Sequence, residues 1–118
     1  VLLAGLQAAL VRRPDFTSET GPPMPDLLTP EQLAERLQGA PEWSLADGQI
    51  EREFALASFM AAIEFVGGVA AIAERLNHHP DIDIRYRRVR IAVSTHSAGG
   101  LTGLDFDLAA QVDRLPGG

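Results

Sequence analysis

The chain has 118 residues, 46% hydrophobic and 22% charged, which supports one modest hydrophobic core and excludes a second full domain. Ten basic residues, all arginine, face sixteen acidic ones for a formal charge of −6, so the chain lacks the positive field that holds a phosphate backbone, and nucleic acid is a poor default partner. The absence of cysteine removes disulfides, thiolate nucleophiles and cysteine–zinc sites, and no apolar run reaches the roughly 20 residues of a membrane helix.

Residues 1–26 read as a flexible N-terminal extension. The apolar stretch over 1–11 makes at best a marginal helix, because isolated helices of that length are barely stable in water. Arg12 and Arg13 follow the stretch instead of preceding it, which argues against a signal peptide. Gly21-Pro22-Pro23-Met24-Pro25 is too rich in proline for helix or sheet. Met24 is a candidate natural start, which would make residues 1–23 an upstream extension. A single cytoplasmic domain over residues 27–118 is expected.

Ordered structure is predicted to begin at Thr29. Thr29-Pro30-Glu31-Gln32 has a hydroxyl at the N-cap, proline at the first helical position and glutamine where it closes a capping box. The helix runs to about Leu37, with Leu33, Ala34 and Leu37 inward, and Gly39 ends it. Residues 43–45 and 50–54 read as two strands joined by the two-residue turn Asp47-Gly48. Ser58 caps a long helix over residues 59–76, whose expected apolar face is Phe59, Ile63, Val66, Ala70, Ala73 and Leu76. Gly67 and Gly68 lie in its middle, each costing about 1 kcal/mol against alanine, so close packing is expected to compensate. Alternation at Ile82, Ile84, Tyr86 and then Val89, Ile91, Val93 gives a second hairpin turning near Arg87, with Tyr86 in the core. Thr102 to Asp105 opens a last helix that runs to about Arg114. The order α-β-β-α-β-β-α predicts an α+β fold, a four-stranded antiparallel sheet with three helices on one face.

All three histidines fall between positions 78 and 96. A hairpin turning near Arg87 returns the end of its second strand to the start of its first, so His96 comes back beside His78, His79 and Pro80. Imidazoles meeting at one end of a sheet are candidates for proton transfer near neutral pH. Two other readings stand beside this one. Asn77-His78-His79-Pro80 also suits a solvated helix exit, and Glu74, His78 and His96 could ligate a metal. Adjacent histidines diverge, however, and no close second carboxylate completes a ligand set, so no metal is expected. Asp105, at the third position of the last helix, suits both a capping role and the orientation of a histidine. Arg85, Arg87, Arg88 and Arg90 read as a solvated, partly paired face.

Glu74-x3-His78-His79-Pro80-x5-Tyr86-x9-His96-x8-Asp105 closely resembles the signature of the pterin-4a-carbinolamine dehydratases. Leu28 to Glu31, Trp43, Ile50, Phe54, Ser94-Thr95-His96 and Gly100-Leu101-Thr102 fit the same pattern, and the similarity spans residues 27–115. The resemblance implies dehydration of 4a-hydroxytetrahydrobiopterin, or a related carbinolamine, to quinonoid dihydropterin, with no metal or redox cofactor. That step completes the cofactor cycle of aromatic amino acid hydroxylases, which are the implied pathway partners.

By the same resemblance, His78 and His96 are the acid or base groups at the hydroxyl, and His79 positions the pterin or assists proton transfer. Asn77, Pro80, Ser94, Thr95 and Ser97 border the pterin, with Glu74 and Asp105 behind them. The chain departs from the family pattern at Asn77, where an acidic residue is common, and at Ile82, which replaces an aromatic. Homodimers or homotetramers, the latter through helix contacts, are the implied assemblies. A non-catalytic dimerisation or assembly module of the same fold is the alternative, and retention of all three histidines favours the enzyme.

Overall fold

Thr29 starts the first helix. Its hydroxyl accepts the Gln32 N–H at 3.1 Å and the Gln32 side chain accepts the Thr29 N–H at 2.9 Å, closing a capping box over α1, Pro30–Gln38. The computed structural model describes residues 26–117. The helix and the proline-rich run considered above within residues 1–25 lie outside the described residues. Leu33 and Leu37 pack against the core as expected, whereas Ala34 is exposed.

Strands β1, Ser44–Ala46, and β2, Gln49–Ala55, form the first hairpin. Asp47 and Gly48 connect them with φ of 54° and 76°, the two left-handed residues that a type I′ turn needs. Ser58 accepts the Ala61 N–H at 3.0 Å and caps α2, Phe59–Leu76. Strands β3, Asp81–Arg85, and β4, Arg88–Val93, form the second hairpin, and Thr102 caps α3, Gly103–Asp113. All strand pairs are antiparallel in the order β1-β2-β4-β3, so the second hairpin inserts its later strand at the centre. A 3₁₀ turn at His96–Ala98 is the one further helical element among the described residues.

The core forms where β2 and β4 face the helices. Ile50 lies opposite Val93 and Phe54 opposite Val89, and these residues with Ile91 meet Phe65, Val69 and Ile72 of α2 and Leu108 and Val112 of α3. Burying each such side chain contributes about 1.5–3 kcal/mol. At one margin, the Trp43 indole N–H and the Arg52 guanidinium both donate to Asp113, at 2.9 Å and 2.7 Å, tying the first hairpin to the end of α3. On the other side of the sheet, Glu53 pairs with Arg88 and Glu51 with Arg90 across β2 and β4. The hydrogen bond from Arg88 holds the Glu53 carboxyl below its ordinary range.

Two expectations fail here. α2 buries Ala62, Phe65, Val69, Ile72 and Ala73, while Phe59, Ile63 and Ala70 of the expected inner face are exposed and Val66 and Leu76 are half-buried. Apolar side chains nearly encircle α2, whose charges are limited to Glu64, Glu74 and Arg75. Periodicity alone therefore leaves neighbouring faces equivalent, and packing on the sheet chooses between them. Tyr86 is 71% exposed and sits in the β3–β4 turn with φ of 57°, so the chain reverses one residue before the strand alternation would carry it into the core.

Gly67 and Gly68 separate cleanly. A β-carbon at Gly68 would lie 2.9 Å from Leu115 Cδ2, whereas one at Gly67 would meet nothing within 4 Å. Gly67→Ala is therefore expected to raise the stability of the chain by about 0.5–1 kcal/mol. Gly68→Ala must displace the Leu115 side chain and should gain less or lose. Thermal unfolding of the two variants checks this, and equal stabilisation by both would remove the Leu115 contact as the reason for Gly68.

Candidate active site

Helix α2 ends at the point where the histidines begin. Asn77 adopts the left-handed conformation, φ 51° and ψ 45°, one of few non-glycine residues suited to it. Its N–H bonds Glu74 O at 3.2 Å and the His78 N–H bonds Ala73 O at 2.9 Å, the paired bonds that terminate a helix sharply. The chain then runs through Pro80 into β3. Asn77 thus earns its place by turning the backbone, and its side chain is exposed.

The β3–β4 register pairs Asp81 with Ala92. Continued beyond the strand ends, it sets His79 across from Ser94 and His78 across from Thr95. Side chains join the two segments at this level. His78 Nε2 is 2.6 Å from Asp105 Oδ1, and Asp105 Oδ2 accepts the Thr95 hydroxyl and the Thr102 backbone N–H, each at 2.9 Å. Asp105 is fully buried and the His78 side chain is 10% exposed. A buried carboxylate without partners is costly; here three hydrogen bonds and the N-terminus of α3 offset that cost.

His79 points elsewhere. Its Nε2 pairs with Glu74 Oε2 at 2.5 Å, and both groups are more than half exposed. Such a pair contributes little to stability and leaves the ring accessible. Glu74 and His78, which could have shared a metal ion, are thus bonded to different partners. Among the described residues no three His, Cys, Asp or Glu side chains gather as a metal site would.

His96 is exposed and opens the 3₁₀ turn; the backbone bridge between Thr95 and Gly100 closes that turn into a tight loop. The loop carries Ser97, also exposed, while Ser94 and Pro80 are half-buried beside it. Thr95 is 3% exposed, and its hydroxyl bonds Asp105 and Thr102, so only its backbone is left to border a ligand. Thr102 is the residue that sequence reasoning missed at this site. It was legible only as a helix cap, although its partner Asp105 is the carboxylate that also meets His78.

The arrangement brings a buried imidazole–carboxylate pair and two more accessible imidazoles to one end of the second hairpin, which suits moving protons on and off a bound molecule. Comparison with known proteins points the same way. The family model for pterin 4 alpha carbinolamine dehydratase matches residues 26–115. A Chloroflexus aurantiacus protein bearing a pterin-4-alpha-carbinolamine dehydratase name is 56% identical over 90 residues, 76% of this chain and 97% of its own length. One of the same name from Nocardia farcinica is 54% identical over 90 residues, 76% of this chain and 95% of its own. A transcriptional coactivator/pterin dehydratase from Brucella melitensis superposes with a TM-score of 0.72 at 33% identity, covering 75% of this chain and 96% of that one. A pterin dehydratase-like RuBisCO assembly factor of the alpha-carboxysome shares the fold alone, with a TM-score of 0.50 and 24% identity over 60% of this chain and 82% of that one. With nearly all the described residues matched by the family model and more than half of them identical in a near full-length relative, the chain belongs to the pterin 4 alpha carbinolamine dehydratase family.

Proposed function

We propose that this protein dehydrates 4a-hydroxytetrahydrobiopterin, or a related pterin carbinolamine, by histidine acid–base catalysis, and so serves the cofactor cycle of an aromatic amino acid hydroxylase. The observation that carries the reading is the buried His78–Asp105 pair at the hairpin end that also bears His79 and His96. Hydroxide is a poor leaving group, so the 4a-oxygen takes a proton as its bond to carbon breaks. The N5 lone pair forms the new C4a=N5 double bond, and the N5 proton passes to a base. One proton enters and one leaves, and the products are quinonoid dihydropterin and water.

His78 and His96 exchange the protons, and His79, reachable from solvent, positions the pterin or relays a proton. Pro80, Ser94, Ser97, Asn77 and the Thr95 backbone border the ring, and Glu74 orients His79. The exposed apolar side of α2, with Phe59, Met60 and Ile63, is the surface that a homodimer or homotetramer would cover.

Stopped-flow mixing with freshly generated 4a-hydroxytetrahydropterin tests the reading. The purified protein should accelerate loss of the carbinolamine well beyond buffer, and His79→Ala and His96→Ala should each slow it. A rate no better than buffer would transfer the protein to the assembly-module class, for which the shared fold of the RuBisCO assembly factor is the precedent.

A further inference from the structure

We infer that Thr95 is a positioning residue, which with Thr102 forms a one-way hydrogen-bond chain that holds His78 as its Nε2–H tautomer and leaves Nδ1 as the proton-accepting atom. The inference rests on the acid–base reading above for its catalytic consequence, but the tautomer itself does not depend on it.

Counting protons and lone pairs gives the direction of the chain. The Thr102 hydroxyl oxygen accepts backbone N–H groups of the first turn of α3, from Leu104 at 3.2 Å and from Asp105 through the capping box. Thr95 Oγ1 gives its single proton to Asp105 Oδ2, so between the two hydroxyls Thr102 is the donor. The neighbour at 2.8 Å is Thr95 Oγ1, so the Thr102 O–H points there. Thr95, accepting that proton, directs its own O–H to Asp105 Oδ2 at 2.9 Å. Oδ2 also accepts the Thr102 N–H at 2.9 Å, which fills it.

Asp105 Oδ2 therefore carries no proton, because the Thr95 O–H and the Thr102 N–H both donate to it. The remaining oxygen, Oδ1, faces His78 Nε2 at 2.6 Å. An ionised carboxylate accepts and cannot donate, so the proton of that bond lies on the ring. All four participants are nearly closed to water: Thr102 and Asp105 are 0% exposed, Thr95 3% and His78 9%. Solvent therefore does not compete for these bonds, and the order is imposed from the α3 cap inward.

This assigns Thr95 a different task from contact with the pterin through its side chain. A substrate contact and a positioning residue part company in kinetics. Thr95→Val removes the hydroxyl at nearly constant volume and takes one donor from Asp105. It is expected to lower kcat about tenfold or more while leaving KM within about twofold, and Thr95→Ser should restore both. A raised KM with kcat unchanged would instead return Thr95 to the pterin.

The direct readout is ¹⁵N NMR of the histidine rings at a pH where His78 is neutral, with its signals assigned by His78→Gln. The wild-type ring should show a protonated Nε2 and an unprotonated Nδ1, and Thr95→Val should mix in the other tautomer. A wild-type ring protonated at Nδ1, or already a mixture, overturns the inference even if dehydration is fast. A single Nε2–H ring in a protein without dehydratase activity overturns the catalytic reading instead and leaves the chain of hydroxyls standing. Should Thr95→Val fold poorly, the wild-type tautomer and the serine variant still decide the matter.

Discussion

His78→Ala is expected to lower kcat for carbinolamine dehydration by about 10²–10⁴-fold, the usual worth of a positioned acid or base. The effect should exceed those of His79→Ala and His96→Ala, because His78 alone among the three is anchored to a buried carboxylate. His79 pairs with an exposed partner and His96 stands on an exposed loop, so water or a buffer acid can replace either one in part. Stopped-flow kinetics at saturating substrate, with added imidazole as a rescue, makes the comparison. A His78→Ala variant with near wild-type kcat would show that the buried pair is structural and that the chemistry lies on the exposed histidines.

The largest expected loss of stability follows from Asp105→Ala. The carboxylate meets His78, the Thr95 hydroxyl and the Thr102 N–H, and the substitution leaves those buried donors without an acceptor. Breaking a buried ionic or strongly polar cluster on one side costs about 3–5 kcal/mol, a large share of the roughly 5–15 kcal/mol that a domain has in total. The start of α3 loses half of its capping box at the same time. Asp105→Asn keeps the volume and one carbonyl oxygen, but turns an NH₂ toward a group that already donates, so its cost should be smaller yet well above zero. Urea denaturation followed by circular dichroism measures both: the midpoint should fall in the order wild type, Asn, Ala with an unchanged slope. An alanine variant as stable as the wild type would mean that Asp105 is not what holds this corner together.

The elements that punctuate the chain were legible in the sequence because each rests on chemistry local to a few residues. Thr29 with Gln32, Asp47 with Gly48, and Ser58 act through bonds spanning two or three positions, and all appear where local rules put them. The inner face of α2 was not legible, since a helix apolar almost all round offers its sheet more than one docking side. Tyr86 was misread for a related reason: strand alternation says which way a side chain faces only while the strand lasts, and β3 stops at Arg85.

The site divides along the same line. Hairpin geometry is nearly local, so the common address of the histidines could be worked out from distances along the chain to the turn. The roles of Thr95 and Thr102 depend on the segment after β4 folding back, with Thr95 paired to Gly100, so that a threonine at the end of a strand meets one at the start of a helix. Neither residue carries a mark of that meeting in its own neighbourhood of the sequence.

The bridge between Thr95 and Gly100 has a consequence for how such a protein can diversify. It cinches the chain at a neck, so the residues carried beyond it, His96 through Gly99, form a cassette whose ends are pinned independently of its contents. The buried His78–Asp105 pair lies outside that neck, and the exposed imidazole of His96 lies on the loop itself. Changes in the length or content of the cassette are therefore expected to leave the buried His78–Asp105 pair in place.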